Sequence, residues 1–402
     1  MRVLWIGFGQ AGGKISNSLM GMNRRLYSAI AINTEEADLS GLRYIREKVL
    51  IGKYALRGRG VGSDIDLGAS IAEKSLAQMM DSIDAMVRKK DPEVIWIAAG
   101  LAGGTGAGGS FVLANELKKI YKHIPVYGIG VIPSVSGMPS DKEALNLSNT
   151  VKSFELWNHY FNNILLVDNQ QYERAHVTRE SVEQMFQRVN ENLAQTLTTI
   201  LTAGEIRPPP QEVFSSSEIK ATLGLIGDVS TIGHCAEEVK VKSQFWRGGM
   251  EPGTHELEDI IERSVEKSSL TFPTDVSGAR SASLIVHGRP EHLYTQAISV
   301  GRAKLEELTT VGKVRYGDYP DRRTKYLSAI TIVSGITDFT RLDQMRKRVQ
   351  ELNRSEEHTS ELQSQAYLVC RLLLETKKTF IHFCCVTYHL YQGYKLSVWN
   401  LT

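Results

Sequence analysis

The stretch Ala102-Gly103-Gly104-Thr105-Gly106-Ala107-Gly108 combines the residue types that hold a phosphate. Glycine lets the backbone approach an anion closely and adopt positive φ angles. Thr105 adds a hydroxyl that either meets the ligand or caps a helix. An apolar run, Val94 to Ala99, leads in like a buried parallel strand, and Phe111 to Lys119 follows with a helical pattern. A glycine loop that ends a strand and opens a helix turns backbone N–H groups outward at the positive end of the helix dipole. That arrangement is an anion cradle suited to phosphate. A flexible linker would not be bracketed by these two patterns.

Two more glycine loops follow apolar strands. Residues 1–6 read as a first strand, then come Gly7-Phe8-Gly9-Gln10-Ala11-Gly12-Gly13 and a helix from about Lys14 to Met22. The string fits G-x-G-x-x-G in its required context. A second strand, Tyr27 to Ile32, ends at Asn33-Thr34-Glu35, where Glu35 sits near the place of a ribose-binding acid. A Walker A loop is excluded, because Ile15 occupies the Ser/Thr position. The fingerprint alone leaves open a dinucleotide or another nucleotide. A third strand at Val49–Ile51 leads to Arg57-Gly58-Arg59-Gly60-Val61-Gly62-Ser63-Asp64.

The intervening segments supply the scaffold. One helix is expected over Leu67–Arg88, a fifth strand over Val126–Ile132, a turn-rich stretch over Pro133–Lys142 and a sixth strand over Asn163–Val167. Strands alternating with helices predict an α/β fold with a doubly wound, mainly parallel sheet. Three glycine loops at one sheet edge suggest that a whole triphosphate is surrounded. A long central helix, about Arg179 to Thr202, carries an apolar stripe of Val182, Met185, Phe186, Val189, Leu193, Leu197 and Leu201. Phe186 and Asn190, four apart on one face, could together reach a base, although periodicity alone favours Phe186 as core. Pro208-Pro209-Pro210 breaks the helix and marks a domain boundary. A second, smaller α/β domain then shows a capping stretch at Ser215–Glu218, strands near Ser283–Val286 and Ala329–Val333, and helices near Glu291–Leu308 and Phe339–Leu352. Adjacent His234 and Cys235 lack a third ligand and read as structural, so no metal-binding residues are assigned. The expected organisation is a nucleotide-binding domain at 1–178, a linking helix at 179–204 and a second domain at 205–353.

Bulk properties narrow the function. The 402 residues suffice for about two domains. A hydrophobic fraction of 42%, a charged fraction of 23% and a net charge of +2 describe a globular protein with no electrostatic case for nucleic-acid binding. No apolar run is long enough to span a bilayer, and the N-terminal apolar stretch is too short for a signal peptide. Four cysteines without metal-ligand spacing fit a reducing interior, so the cytoplasm is the expected compartment.

At Ala102–Gly108 the chain resembles the tubulin/FtsZ superfamily at every position of its signature. Gly9-Gln10-Ala11-Gly12-Gly13 resembles the first phosphate loop, in a form more tubulin-like than FtsZ-like. Ala31-Ile32-Asn33-Thr34 resembles the second loop and Gly60-Val61-Gly62 the third. Gly317-Asp318-Tyr319-Pro320 and Ser334-Gly335-Ile336-Thr337-Asp338 point to the archaeal, tubulin-like CetZ family, and the resemblance covers about residues 1–353.

The resemblance implies a cytoplasmic GTPase that forms head-to-tail filaments with itself and serves cell shape, using GTP or GDP with Mg²⁺. Gly9, Gln10, Ala11, Gly12, Gly13 and Lys14 would line the α/β-phosphates, and Gly103, Gly104, Thr105, Gly106 and Ala107 the β/γ-phosphates, with Asn33 and Gly62 in their loops. Glu143, within the acidic stretch from Asp141, would meet the ribose, and Asn169 the ribose or base. Phe186 would stack on guanine and Asn190 bond its Watson–Crick edge. In this superfamily a loop of the next subunit completes the active site. Here that loop is Val213–Glu218, and Glu218 would polarise the attacking water. Ser215 stands where the same loop is expected to carry aspartate, which implies slower turnover. Regulatory partners are not identified by these residues.

Two alternatives stand beside this reading. One is an NAD-dependent oxidoreductase, from Gly7–Gly12 with Glu35. The other is a nucleotide-binding scaffold that assembles without efficient hydrolysis, from Ser215. From Arg354 onward, Arg354–Ser364 and Leu368–Glu375 resemble the translation of a sequencing-library adapter. Residues 354–402 are therefore read as an artefact that displaced the natural end, and excluded from fold reasoning. Cys370, Cys384 and Cys385 fall within it.

Overall fold

The computed structural model describes residues 1–175, 181–205, 214–224, 227–238, 254–266, 274–293, 295–312 and 314–354. The first part of the chain contains β1 (Val3–Phe8), α1 (Gly9–Met22), β2 (Tyr27–Asn33), α2 (Glu36–Ser40), β3 (Glu47–Leu50), α3 (Lys53–Leu56), α4 (Ile65–Lys74) and α5 (Leu76–Lys90). Then come β4 (Val94–Gly100), α6 (Gly104–Ile120), β5 (Val126–Ile132), α7 (Ser140–Tyr160), β6 (Asn163–Asp168), α8 (Asn169–Ala175) and α9 (Val182–Thr202). The remainder supplies α10 (Ser216–Thr222), β7 (Asp228–Glu238), α11 (Thr254–Glu266), β8 (Ser281–Gly288), α12 (Thr295–Thr309), β9 (Arg315–Pro320) and β10 (Tyr326–Ser334). A further helix opens at Thr340. Residues Met1–Arg346 form one compact unit; the described part of the other, Lys347–Arg354, is helical.

The strands form one sheet in the order β3-β2-β1-β4-β5-β6-β7-β10-β8-β9. Strands β3 to β7 run parallel, β10 is antiparallel to β7 and β8, and β9 is parallel to β8. Within the first six strands the direction of winding reverses between β1 and β4, and the carboxyl ends of strands at such a point diverge to leave a crevice. The apolar runs behave as parallel strands covered on both faces must: every residue of β1, β2, β5 and β6 is buried. On one face Tyr27, Trp5, Trp96 and Tyr127 form a ladder across four strands, with successive ring centroids 5.6, 5.7 and 5.0 Å apart. It lies in the same core as Ile15 and Leu19 of α1 and Val189, Leu193 and Leu197 of α9.

Helix α9 spans the height of the sheet. It opens on a capping box, in which the Gln184 N–H donates to Ser181 Oγ at 3.2 Å and the Ser181 N–H to Gln184 Oε1 at 3.0 Å. Its end is fixed at the amino edge, where the Met1 ammonium donates to the Leu201 carbonyl at 2.9 Å. Twenty-one residues make a rod of about 30 Å.

Several elements differ from expectation. Helix α1 begins at Gly9 rather than near Lys14, so its glycines are the first helical turns and not a loop before them. The single helix over 67–88 is two, divided at Ser75 (φ −106°, ψ 7°). The division lets α4 pack against α6 while Met79 and Ile83 of α5 turn inward. Val182 is exposed and Phe186 half-buried, so the α9 stripe begins at Met185 and continues through Val189. The helix expected from Glu291 is a 3₁₀ turn at Pro290–His292 followed by α12. Strands β7 and β9 and helix α11 were not expected. The Pro208–Pro210 boundary and the tail from residue 355 onward lie outside the described residues.

Candidate functional site

The crevice at the carboxyl ends of β1 and β4 is bordered by two helix N-termini. Helix α1 starts at Gly9, whose φ of +72° suits glycine, and Gly12 seats the helix on β4. A Cβ at Gly12 would lie 1.8 Å from the Ala98 carbonyl oxygen. Helix α6 starts at Gly104 with Gly103 as its N-cap. Neither helix has a side-chain cap or an acid in its first turn, whereas Asp64 caps α4 by accepting the Leu67 N–H at 2.9 Å. Uncapped helix N-termini present N–H donors and positive dipole ends to whatever occupies the crevice.

The cavity between them measures about 370 Å³, a size that takes a nucleotide-class ligand. Its walls are Phe8, Gly9, Gln10, Ala11, Asn33, Glu35, Asp38, Gly60, Val61, Gly62, Gly100, Ala102, Gly103, Gly104, Thr105, Gly106, Val131, Pro133 and Asn169. A polar network fixes the loops. The Thr34 and Thr105 hydroxyl oxygens are 2.7 Å apart, and the Gly104 N–H donates to the Gly62 carbonyl at 2.9 Å. Asp38 accepts from Gln10 Nε2 at 3.1 Å and from Asn33 Nδ2 at 2.9 Å, while Asn33 Oδ1 accepts the Thr34 N–H at 2.8 Å. Asn149 of α7 donates from Nδ2 to the Ser63 and Ala102 carbonyls, at 2.7 and 2.9 Å, joining two of the three glycine loops from behind.

Of the residues singled out in the sequence, Gly9, Gln10, Ala11, Asn33, Gly62, Gly103, Gly104, Thr105, Gly106 and Asn169 line this one cavity. Gly12, Gly13 and Ala107 are buried behind the wall, Gly12 in helix-to-strand packing, and Lys14 is exposed on α1. Glu143 is half-buried in the first turn of α7, away from the cavity wall. Phe186 and Asn190 sit a turn apart on α9, both half-buried and outside the wall. Asp38, Phe8, Val131 and Pro133 were missed. Asp38 belongs to no glycine motif, and only the fold brings its carboxylate to Gln10.

Glu218 lies at the opposite edge of the sheet. It is half-buried in the first turn of α10, and its Oε2 accepts the Ser215 N–H at 2.7 Å. Helix α10 borders Glu93, which directly precedes β4. Burial pushes the Glu93 carboxyl up, but the Arg2 N–H, the N-terminal charge, Lys220 and the Ser216 hydroxyl outweigh it and hold the group below its usual range. With strands of six or seven residues, the edges are separated by about 20 Å. Val213, the first residue of the expected loop, lies outside the described residues.

Comparison with known proteins accounts for both halves of the chain. Residues 2–175 match the tubulin/FtsZ family GTPase domain, and residues 179–351 match the C-terminal domain of tubulin-like CetZ. The chain is 33% identical over 372 residues to the tubulin-like protein CetZ1 of Haloferax volcanii, covering 86% of this chain and 91% of that protein. The structure of CetZ1 from the same organism as a GDP-bound monomer superposes with a TM-score of 0.73 at 31% identity, covering 88% of this chain and all of that one. The CetZ2 GTPγS-bound protofilament superposes with a TM-score of 0.76 at 29% identity, covering 89% and 100%.

Proposed function

Since the chain belongs to the tubulin-like CetZ family of the tubulin/FtsZ superfamily, we propose that it binds and hydrolyses GTP and polymerises head to tail, each active site being completed by the next copy. The observation that carries this reading is the placement of the two half-sites. The anion cradle occupies the carboxyl edge of the sheet and Glu218 the amino edge, so copies stacked in one direction set the acid of one against the crevice of the next. Such a contact is heterologous and propagates rather than closing.

In this reading the N-termini of α1 and α6 take the phosphates, with Gln10 and Thr105 as side-chain donors. Phe186, excluded from the α9 core, stacks on guanine. Asn190 bonds the base edge, Asn169 meets ribose or base, and Glu143, although outside the cavity wall, is the acid assigned to the ribose. The carboxylates of Glu35 and Asp38 and the hydroxyl of Thr105 are hard oxygen donors of the kind that hold Mg²⁺ beside phosphate oxygens. The ion would supply neutralisation of the charge developing on the phosphates. The bond from Ser215 N–H fixes the Glu218 carboxylate at the head of α10, and its remaining lone pairs can accept a hydrogen bond from the attacking water. Ser215 brings no second charge to that loop, so turnover is slow. Filaments in the cytoplasm that serve cell shape are the corresponding cellular role.

The test is phosphate release per molecule against protein concentration, paired with sedimentation in GTP, GDP and a non-hydrolysable analogue. A rate that climbs with concentration and pelleting that follows the triphosphate are expected; a specific rate independent of concentration overturns the shared active site. Ser215 favours a second reading, a GTP-binding scaffold that assembles without efficient hydrolysis, in which pelleting occurs and phosphate release stays at background. The dinucleotide reading predicts NAD rather than guanine nucleotide in extracts of the purified protein.

A further inference from the structure

Arg341 belongs to the helix that opens at Thr340, and its guanidinium bonds the two residues that flank Asn169, a residue of the crevice wall. Its Nε donates to Asp168 Oδ2 at 3.0 Å and its Nη2 to Gln170 Oε1 at 2.7 Å. Asp168 ends β6 with its side chain only 4% exposed, and its Oδ1 accepts the Gln170 N–H at 3.0 Å. The residue between these two held neighbours is Asn169, which lines the cavity. One planar cation therefore fixes the residues on both sides of a cavity side chain, and does so with two of its donors in a set geometry.

We infer that Arg341 is a positioning residue for the nucleotide contact at Asn169, through which the C-terminal part of the chain holds the junction of β6 and α8. The inference rests on the proposed reading of the crevice as a guanine-nucleotide site. Without the guanidinium, Asp168 keeps, among the described residues, the backbone donor of Gln170, and the Gln170 side chain loses its bond to Arg341. The bond that ties the last residue of β6 to the first turn of α8 is then lost, and Asn169 at that junction is held less closely. Lysine at 341 could still pair with Asp168 as a point charge but could not hold Gln170 in the same fork.

The test is a double-mutant cycle on the full chain, read as the dissociation constant for GDP with a fluorescent GDP analogue. The variants are Asn169→Ala, Arg341→Lys and their combination, and the melting temperature of each is measured without nucleotide. Asn169→Ala is expected to weaken binding, and Arg341→Lys to weaken it about fivefold while changing the melting temperature little. In the Asn169→Ala background the lysine substitution should have almost no further effect, as coupled neighbours require. Full additivity, or an unchanged affinity in Arg341→Lys, overturns the inference and leaves the crevice reading in place. An unchanged affinity in Asn169→Ala overturns the assigned contact itself and the inference with it. Should Arg341→Lys melt early, the pair Gln170→Ala and Gln170→Ala/Asn169→Ala repeats the test without disturbing the buried carboxylate, with the same readings.

Discussion

Thr34 and Thr105 face each other with hydroxyl oxygens 2.7 Å apart, tying the turn after β2 to the first turn of α6. Thr34 is fully buried, and Thr105 lines the cavity. The bond limits where the Thr105 hydroxyl can point. Thr34→Val keeps the shape and removes that partner, so GDP affinity should fall by about fivefold, the equivalent of about 1 kcal/mol. Thr34→Ser should restore it. Equal affinities for all three proteins would show that the bridge plays no part in binding.

Two glycines separate folding from binding. A Cβ at Gly12 would meet the Ala98 carbonyl oxygen at 1.8 Å, whereas a Cβ at Gly103 would meet nothing within 4 Å. Gly12→Ala must push α1 off β4 and should cost about 3 kcal/mol or more in urea unfolding. Gly103→Ala should unfold like the parent but bind GDP at least about tenfold more weakly, because the added methyl stands in the crevice. Normal binding by Gly103→Ala would place the phosphates elsewhere.

Glu218 holds a structural bond to Ser215 and is proposed to have a chemical task, and two substitutions divide them. Glutamine can accept the Ser215 N–H as glutamate does, so Glu218→Gln should keep the stability of α10 while losing the charge that orients water. Phosphate release should drop on the order of 100-fold with assembly preserved. Glu218→Ala should show the same drop with a further loss of about 1 kcal/mol in stability. Hydrolysis undiminished in Glu218→Gln would remove the acid from the mechanism.

Acid should weaken the fold through two histidines of the sheet. Burial lowers the pKa of His234, reinforced by His287, and burial likewise lowers that of His287 against the opposing pull of Asp321. Their folded values lie below the unfolded value of about 6.5, so between the two the unfolded chain binds more protons. Stability is therefore complete above about pH 6.5 and declines as pH falls through the lowered folded values. Urea midpoints measured from about pH 7.5 down to about pH 5 should trace that decline, and His234→Gln with His287→Gln should flatten it. An identical slope in the double variant would assign the decline to other groups.

The parallel half of the fold was legible because burial on both faces forces long apolar runs, and β1, β2, β4 and β5 are such runs. The glycine loops after β1 and β4 marked the crevice by their residue type, and at Gly12 close packing on Ala98 leaves no room for a side chain. The rest depended on partners distant in the chain. Strand β7 carries buried Ser230, Thr231 and Gly233 and half-buried His234, with polar groups answered by neighbours such as Ser334, so its sequence has no apolar signature. Strand β9, Arg-Tyr-Gly-Asp-Tyr-Pro, is an edge strand with a mostly half-buried pattern. The onset of α1 was hidden because glycine is a poor helix former, and only packing against Ala98 makes it the right residue there. Asp38 reaches the crevice, and Arg341 the residues flanking Asn169, from segments without any motif. Nothing in their own neighbourhoods signals it.

The glycine-lined crevice and Glu218 lie at opposite edges of one sheet, so in the proposed head-to-tail row each copy offers one of each. A row of n copies holds n crevices but only n − 1 junctions. At one tip, the last bound triphosphate faces solvent instead of a glutamate. A copy docking there would bring its Glu218 to the previous occupant's nucleotide and carry its own still unopposed. A strand built this way would carry cut nucleotide at every junction and keep one uncut triphosphate at its open crevice alone.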